Sequence, residues 1–135
     1  MKQEDKDILI KDLCARLPYG IKVLYDNQIF EIQYIEAMYE ELKLLDNEKY
    51  TLPIEDVKPY LLPLSSMTEE EKKEYYNLCI EEEREEIEFG EWITRVYYHN
   101  TIESIDWLNK NHFDYRGLIP KGLAIDATEG ERMYN

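Results

Sequence analysis

The stretch VLYDNQIFEIQY, residues 23–34, decides the fold that we expect for this chain. Apolar side chains recur at about every second residue on both sides of Asp26-Asn27, and this is the period of a half-buried strand. Asp and Asn both tolerate the left-handed backbone that a tight hairpin turn requires. The stretch therefore predicts two antiparallel strands joined at Asp26-Asn27.

Two more short apolar runs follow, at 42–45 and 50–52, with Asp46-Asn47 as a second candidate turn between them. The segment 36–41 fits either a strand or a helix. We expect residues 21–53 to form a meander of about four short antiparallel strands. Strands this short need a second layer of structure over them.

A helix that supplies this layer is predicted over residues 4–17. Four of its residues have the spacing of one apolar face: Ile10, Leu13, Cys14 and Leu17. Acidic residues crowd the first turn and Arg16 lies in the last one, as the helix dipole favours. Pro18-Tyr19-Gly20 is expected to end the helix.

The middle of the chain begins with residues 53–63, where three prolines predict an irregular connector rather than a helix or a central strand. Thr68-Glu69-Glu70-Glu71 is a capping box, and it starts a predicted helix that reaches about Glu83. Alternation over 91–100 then indicates a strand.

A third helix is expected to follow, capped by Thr101 or Ser104 and ending near Asn111. Its inward residues would be Ile102, Ile105 and Leu108. The run 123–125 indicates a last short strand. Together these elements predict an α+β fold for a single domain, residues 1–135. We expect a small, curved antiparallel sheet, of which an SH3-like partial barrel is one form, covered by the N-terminal helix, with two further helices.

The formal net charge is −14, and residues 68–95 hold half of it, with four basic and eleven acidic side chains. Such a field repels phosphates, so direct nucleic-acid binding is disfavoured, whereas a basic partner is favoured. No apolar run approaches the ~20 residues of a membrane span. The charged start lacks a signal-peptide core, so a cytoplasmic location is expected.

Motifs for chemistry are sparse in this sequence. It contains no glycine-rich phosphate loop and no nucleophile elbow, and its two histidines lack metal-ligand spacing. Cys14 and Cys79 are isolated from each other and are expected to be reduced, half-buried thiols on helices. We therefore expect no cofactor and no catalytic residue set.

The acidic run after the capping box is the first candidate site. Its members are Glu82, Glu83, Glu85 and Glu86. On the predicted helix, they would form a docking surface for a basic partner, a weak site for a hard cation, or a solvated face.

The segment 112–121 is the second candidate site because it concentrates polar side chains in a turn. Its candidate binding residues are His112, Asp114, Tyr115 and Arg116. Asp114 and Arg116 are placed to pair with each other, while His112 and Tyr115 offer hydrogen bonds to a ligand. The alternative interpretation is a helix exit in which Asp114 and Arg116 tie down the backbone.

The chain has twelve tyrosines, which is many for its length. Tyr75-Tyr76 and Tyr97-Tyr98 each place one ring inward and one outward. Exposed tyrosines suit protein interfaces because they give a large contact area at a low entropic cost. The alternative is that they line the rim of a small core.

Three parts of the sequence are familiar: residues 2–20, residues 57–61 with 63–71, and residues 104–109 with 112–119 and 121–124. Together they resemble a group of small proteins from gut anaerobes and their phages or prophages, in which a basic residue is common at the position of Leu62. The group has no established activity. The resemblance therefore implies a genomic setting, a phage or mobile element, and implies no reaction.

The sequence thus favours a phage- or prophage-encoded, non-enzymatic interaction module. Its expected partner is a host protein with a basic surface, bound through the acidic and tyrosine-rich surface of the chain. The alternative function is a small-molecule-binding protein or enzyme that uses the loop around His112, Asp114 and Arg116.

Overall fold

A curved, unclosed sheet and an N-terminal helix form the larger part of the computed structural model, which describes residues 1–44, 47–129 and 134. The helices are α1 (Gln3–Arg16), α2 (Glu69–Leu78) and α3 (Ile102–Lys110). The strands are β1 (Lys22–Tyr25), β2 (Gln28–Glu36), β3 (Glu41–Leu44), β4 (Asn47–Pro53), β5 (Lys58–Pro63), β6 (Ile80–Glu88), β7 (Glu91–His99), β8 (Phe113–Asp114) and β9 (Ile125–Asp126).

The chain divides into two compact units, of which the first comprises residues 1–66 and 109–135 and the second comprises residues 67–108. The first unit contains α1 and the large sheet, and the second contains α2 and the β6–β7 hairpin. The expectation of a single domain stays a prediction.

The first unit confirms the predicted α+β class and the meander. Its strand order is β4-β3-β2-β1-β5-β8, and β9 also pairs with β5. The β1–β2 turn is at Asp26 and Asn27, whose φ angles of 50° and 61° are those of a tight hairpin. The ambiguous segment 36–41 contains a 3-10 turn at Ala37–Tyr39. Asp46, of the predicted second turn, lies outside the described residues.

The prediction of an irregular connector over residues 53–63 was wrong, because Lys58–Pro63 forms β5 inside the sheet. β5 pairs antiparallel with β1, and parallel with β8 and β9. Each of these neighbouring strands pairs with only two residues of β5. Few backbone N–H donors of β5 are therefore needed, and Pro59 and Pro63, which have none, are tolerated in the strand. The parallel pairs make the sheet mixed rather than wholly antiparallel.

The core of the first unit lies between α1 and the sheet. Leu9 and Leu13 of α1 are fully buried and share one cluster with strand residues such as Val23 and Leu42. The predicted helix was confirmed, and three residues of its predicted apolar face contribute to the core: Leu13 is buried, and Ile10 and Leu17 are partly buried against the cluster. The prediction was wrong for Cys14, and it missed Leu9. Leu9, Asp12, Leu13 and Arg16 are buried. Cys14 is an exposed thiol, because it lies one residue beyond this stripe.

The capping box of α2 is confirmed. The Glu71 backbone N–H donates to the Thr68 hydroxyl over 3.1 Å, and the Thr68 N–H donates to the Glu71 carboxylate over 3.0 Å. These two bonds satisfy amides that have no partner within the helix. They fix the start of α2 at Glu69.

Removing this cap in a Thr68→Ala variant is expected to lower the free energy of unfolding by about 1 kcal/mol. Urea denaturation of both proteins measures the difference. Ser65→Ala, at an exposed residue before the helix, is the control and is expected to change stability by less than about 0.5 kcal/mol. Equal midpoints for Thr68→Ala and the wild type would contradict the capping role.

The predicted extension of α2 to Glu83 was wrong, since the helix ends at Leu78 and the acidic run lies in β6. β6 and β7 form a hairpin paired from Ile80↔His99 to Glu88↔Glu91. The turn residues Phe89 and Gly90 have φ angles of 52° and 81°, as a tight hairpin turn requires. Pairing with β7 therefore replaces the helix that the glutamates alone would favour.

The elements from residue 91 onward agree with the predictions in part. The predicted strand over 91–100 is confirmed as β7, and α3 begins with reciprocal hydrogen bonds between Thr101 and Ser104. Leu108 is buried, but Ile102 is 79% exposed, so its predicted inward position was wrong. Ile102 is the first residue of α3, where side chains of the opening turn extend beyond the packed stripe. None of the described helices is both long and apolar enough to cross a membrane.

Candidate functional site

The second predicted site, around residue 112, begins where α3 ends. The His112 backbone is left-handed, with φ of 62°, and its N–H donates to the Asn109 carbonyl over 3.2 Å. The Asp114 carboxylate accepts hydrogen bonds from the backbone N–H groups of Leu118 and Ile119, at 2.8 and 2.9 Å. Asp114 thus ties down the backbone, as the structural alternative predicted.

The sequence suggested that Arg116 pairs with Asp114, but in the structure it does not. Its Nη1 donates over 2.8 Å to Asp12 on α1, and its guanidinium lies over the Tyr115 ring at 4.6 Å. Both oxygens of Asp114 are already occupied by backbone amides. Arg116 binds the carboxylate of Asp12 instead, which is distant in sequence.

Asp12 and Arg16 form a buried ion pair that sequence reasoning missed. Both side chains have no solvent exposure, and two hydrogen bonds of 2.9 and 3.1 Å join them. Arg16 also donates to the Phe113 carbonyl over 2.7 Å. One signal was present in the sequence: Asp12 and Arg16 lie four residues apart and share the helical stripe of Leu9 and Leu13.

His112 is 5% exposed and stacks on Tyr134 with ring centroids 3.8 Å apart. Its Nδ1 has no hydrogen-bond partner among the described residues. Burial, aided by the nearby Arg16 charge, lowers the pKa of His112 to about 4. The histidine is therefore neutral at physiological pH.

These contacts form a polar cluster of Asp12, Arg16, Tyr115 and Arg116, and the charges of Asp12 and Arg16 act on the adjacent His112. Asp114 instead binds the backbone amides of Leu118 and Ile119. The oxygens of both Asp12 and Asp114 already accept hydrogen bonds from protein groups. The cluster thus joins the end of α1 to the segment that follows α3. A ligand site at this segment stays a prediction.

The first predicted site lies on the β6–β7 hairpin, where alternation divides the acidic run between two faces. Glu82 and Glu86 lie on one face, and Glu83 and Glu85 lie on the other. The helical arrangement that would have placed carboxylates on neighbouring turns for a cation is absent here. No group of three or more potential metal ligands occurs among the described residues.

The face of Glu82 and Glu86 carries the ion pairs of the hairpin among the described residues, and we call it the paired face. It holds residues 80, 82, 84, 86 and 88 of β6 and residues 91, 93, 95, 97 and 99 of β7. Glu82 binds Arg84 at 2.7 Å and His99 at 2.6 Å, and these contacts lower the pKa of Glu82 to about 2. Glu86 binds Arg95 at 3.2 Å and accepts from the Tyr97 hydroxyl at 2.6 Å.

The opposite face, which we call the open face, has no such compensation. It holds Glu81, Glu83, Glu85 and Ile87 of β6 and Trp92, Thr94, Val96 and Tyr98 of β7. The side chains of its three glutamates are exposed and form no ion pair or hydrogen bond with any described residue. Of the four hairpin glutamates that form no ion pair with a described residue, three therefore lie on the open face, and the fourth is Glu91 on the paired face.

Large apolar side chains are exposed beside these glutamates. Ile87 and Trp92 face each other across the strands, and they are 62% and 71% exposed. Phe89, in the turn, is 98% exposed and has a left-handed backbone, a conformation that bulky residues rarely adopt. Contiguous exposed apolar groups of this kind mark interaction surfaces.

The predicted tyrosine pairs are divided between two roles. Tyr76 of α2 stacks on Tyr98 of the open face at 4.2 Å, and Tyr75 packs against Trp107 at 5.8 Å. Burial, with Cys79 nearby, raises the pKa of Tyr75 to about 12. Tyr75 is therefore part of the packing of its unit, whereas Tyr76 and Tyr98 each remain about two-fifths exposed.

Comparisons of the chain with protein-family profiles, with curated proteins and with solved structures find no match.

Proposed function

We propose that this protein is a non-enzymatic interaction module that binds a partner protein with a basic surface through the open face of the β6–β7 hairpin. The observation that carries the proposal is the asymmetry of the hairpin. On its paired face, Glu82, Glu86 and Glu88 are held in ion pairs, whereas its open face presents three glutamates that form none with a described residue, next to exposed Trp92 and Ile87.

The chemistry of the open face favours lysine and arginine side chains. Carboxylates attract a cationic partner and speed its association. An indole such as that of Trp92 offers a flat surface to a cation, and aromatic residues are common anchors of protein interfaces. Charge thus supports recognition of a basic partner, and the apolar residues support its retention.

The resemblance to proteins of gut anaerobes and their phages or prophages supports a host protein as the proposed partner. A protein carried by a mobile element acts in a host cell, so the proposed partner is a host protein. The sequence-based proposal placed the contact on an acidic and tyrosine-rich surface. The proposed contact surface is now the open face, with Glu81, Glu83 and Glu85 beside Trp92 and Tyr98.

Two paired substitutions on the same hairpin test this proposal. Glu83→Gln/Glu85→Gln removes two charges from the open face, and Glu82→Gln/Glu86→Gln removes two from the paired face. With a host protein captured by the wild-type chain, we expect the first variant to reduce the association rate about tenfold at low salt. The loss should shrink as salt rises, because added ions screen the remaining charges. Surface plasmon resonance measures both rates.

The paired-face variant is the matched control, since it changes the net charge equally. Its association rate should stay within about twofold of the wild type, because the carboxylates it removes are already neutralised by arginines. Trp92→Ala should raise the dissociation rate. An equal effect of the two double variants, or an association rate insensitive to both, would contradict the proposal.

A further inference from the structure

The outer edge of β6 identifies the form of partner that the open face fits. We propose that the partner contributes an extended segment with lysine or arginine at alternate positions, and that this segment adds to β6 as a third strand. This inference rests on the proposed function and specifies the partner of the same surface.

The backbone of β6 is available for such pairing. In a hairpin with a two-residue turn, the two residues that flank the turn exchange hydrogen bonds with each other. Here these residues are Glu88 and Glu91, so Glu88 and every second residue before it point their N–H and C=O groups at β7. The groups of Glu81, Glu83 and Glu85 point away from β7. β6 pairs only with β7 among the described strands, and no backbone hydrogen bond links these outward groups to another described residue.

The side chains add a charge pattern to this edge. Glu81, Glu83 and Glu85 are successive residues of the open face, with Cα atoms about 6.8 Å apart. An added strand has the same spacing between its alternate side chains, and residues opposite each other in paired strands lie on the same face. Alternate basic residues would therefore each face one glutamate.

The charge pattern also disfavours two alternatives, which are pairing of a second copy of this chain through β6 and addition of the basic strand to β7. A second copy of this chain that paired through β6 would place glutamates against glutamates, and the net charge of −14 adds to the repulsion. The outer edge of β7 carries Thr94 and Val96 at the corresponding positions, so it offers no charge to a basic strand. Like charges on a strand edge are a common protection against self-association.

Two synthetic peptides of equal composition test the inference. One alternates lysine with threonine and valine, and the other groups its lysines in one block. Fluorescence anisotropy with the full chain should show that the alternating peptide binds about tenfold more tightly. Glu83→Gln/Glu85→Gln should remove about tenfold of that affinity, and Glu82→Gln/Glu86→Gln should leave it within about twofold.

Proline substitutions separate backbone pairing from charge. Glu85→Pro and Glu85→Gln remove the same charge, but only proline also removes an outward N–H. Glu85→Pro should therefore bind the alternating peptide about fivefold more weakly than Glu85→Gln.

Amide hydrogen exchange of the wild-type chain gives a readout that does not depend on the folding of a variant. The alternating peptide should slow exchange at Glu83 and Glu85 and leave the inward amides of Arg84 and Glu86 unchanged. Unchanged exchange at all four amides, with the peptide bound, would overturn strand addition.

The possible results distinguish this inference from the proposed function. If both peptides bind equally, and Glu85→Pro binds as well as Glu85→Gln, strand addition is overturned. The proposal that a basic partner binds the open face would still stand in that case. Failure of both peptides to bind would also overturn it, and the captured host protein would still test the open face. A dimer of the free chain that Glu85→Pro dissociates would assign the edge to a second copy and overturn the inference.

Discussion

Replacing Asp12 by asparagine is expected to lower the free energy of unfolding by about 3 to 5 kcal/mol, the largest stability effect that we predict. Asp12 has no solvent exposure and compensates the guanidinium groups of Arg16 and Arg116. Asparagine keeps the shape but removes the charge, so Arg16 remains buried without a counterion. Urea denaturation measures the change.

Two further variants show whether charge is the cause. Asp7→Asn, on an exposed part of α1, should change stability by less than about 0.5 kcal/mol. Replacing the pair together, as Asp12→Leu/Arg16→Met, removes the uncompensated buried charge and should recover at least half of the loss. A double variant less stable than Asp12→Asn would show that the hydrogen bond from Arg16 to Phe113, rather than the charge balance, dominates.

Acidification is expected to reduce stability through His112 by about 3 kcal/mol between pH 6.5 and pH 4. The pKa of His112 in the folded chain is about 4, because burial and then the Arg16 charge disfavour the protonated ring. The unfolded chain binds this proton from about pH 6.5 downward. Between these values the unfolded state holds more protons, so stability falls as the pH falls, and the contribution is fully present above pH 6.5.

The His112→Asn variant isolates this contribution. Asparagine tolerates the left-handed backbone at this position, where φ is 62°, and it does not titrate. Urea denaturation at a series of pH values should show a smaller loss for the variant than for the wild type, by about 3 kcal/mol. Carboxylates titrate in both proteins and cancel in the difference. Identical pH dependence would contradict a buried neutral histidine.

The β6–β7 hairpin shows where local signals fail. Glutamate is a good helix former, and the run from Glu81 to Glu86 follows a confirmed capping box, so the sequence favours a longer α2. The structure instead ends α2 at Leu78 and pairs the run with β7. Cross-strand contacts such as Glu86 with Arg95 exist only once both strands are present.

β5 is a second case in which the local sequence misled, since it is a strand although its prolines predicted an irregular connector. Its prolines correctly exclude a helix, but whether Pro59 and Pro63 fit a strand depends on which ladder bonds the neighbouring strands need. Those neighbours include β8 and β9, which lie about fifty residues or more further along the chain. The local sequence does not contain that information.

The sequence by itself determined the features that a few adjacent residues encode. These are the hairpin at Asp26-Asn27, the meander around it, the N-terminal helix and the cap at Thr68, and together they suffice for the α+β class. Turn chemistry, helix capping and hydrophobic periodicity depend on residues that are close together in sequence. They can therefore be recognised without knowledge of tertiary contacts.

Only the tertiary structure decided which charges are buried and which lie on an exposed face. Asp12 meets Arg116 across 104 residues, and Arg16 meets Phe113 across 97. The division of the acidic run into a paired and an open face likewise follows from its register with β7. The physical reason is that the cost of a charge depends on the groups around it, and those groups come from distant parts of the chain.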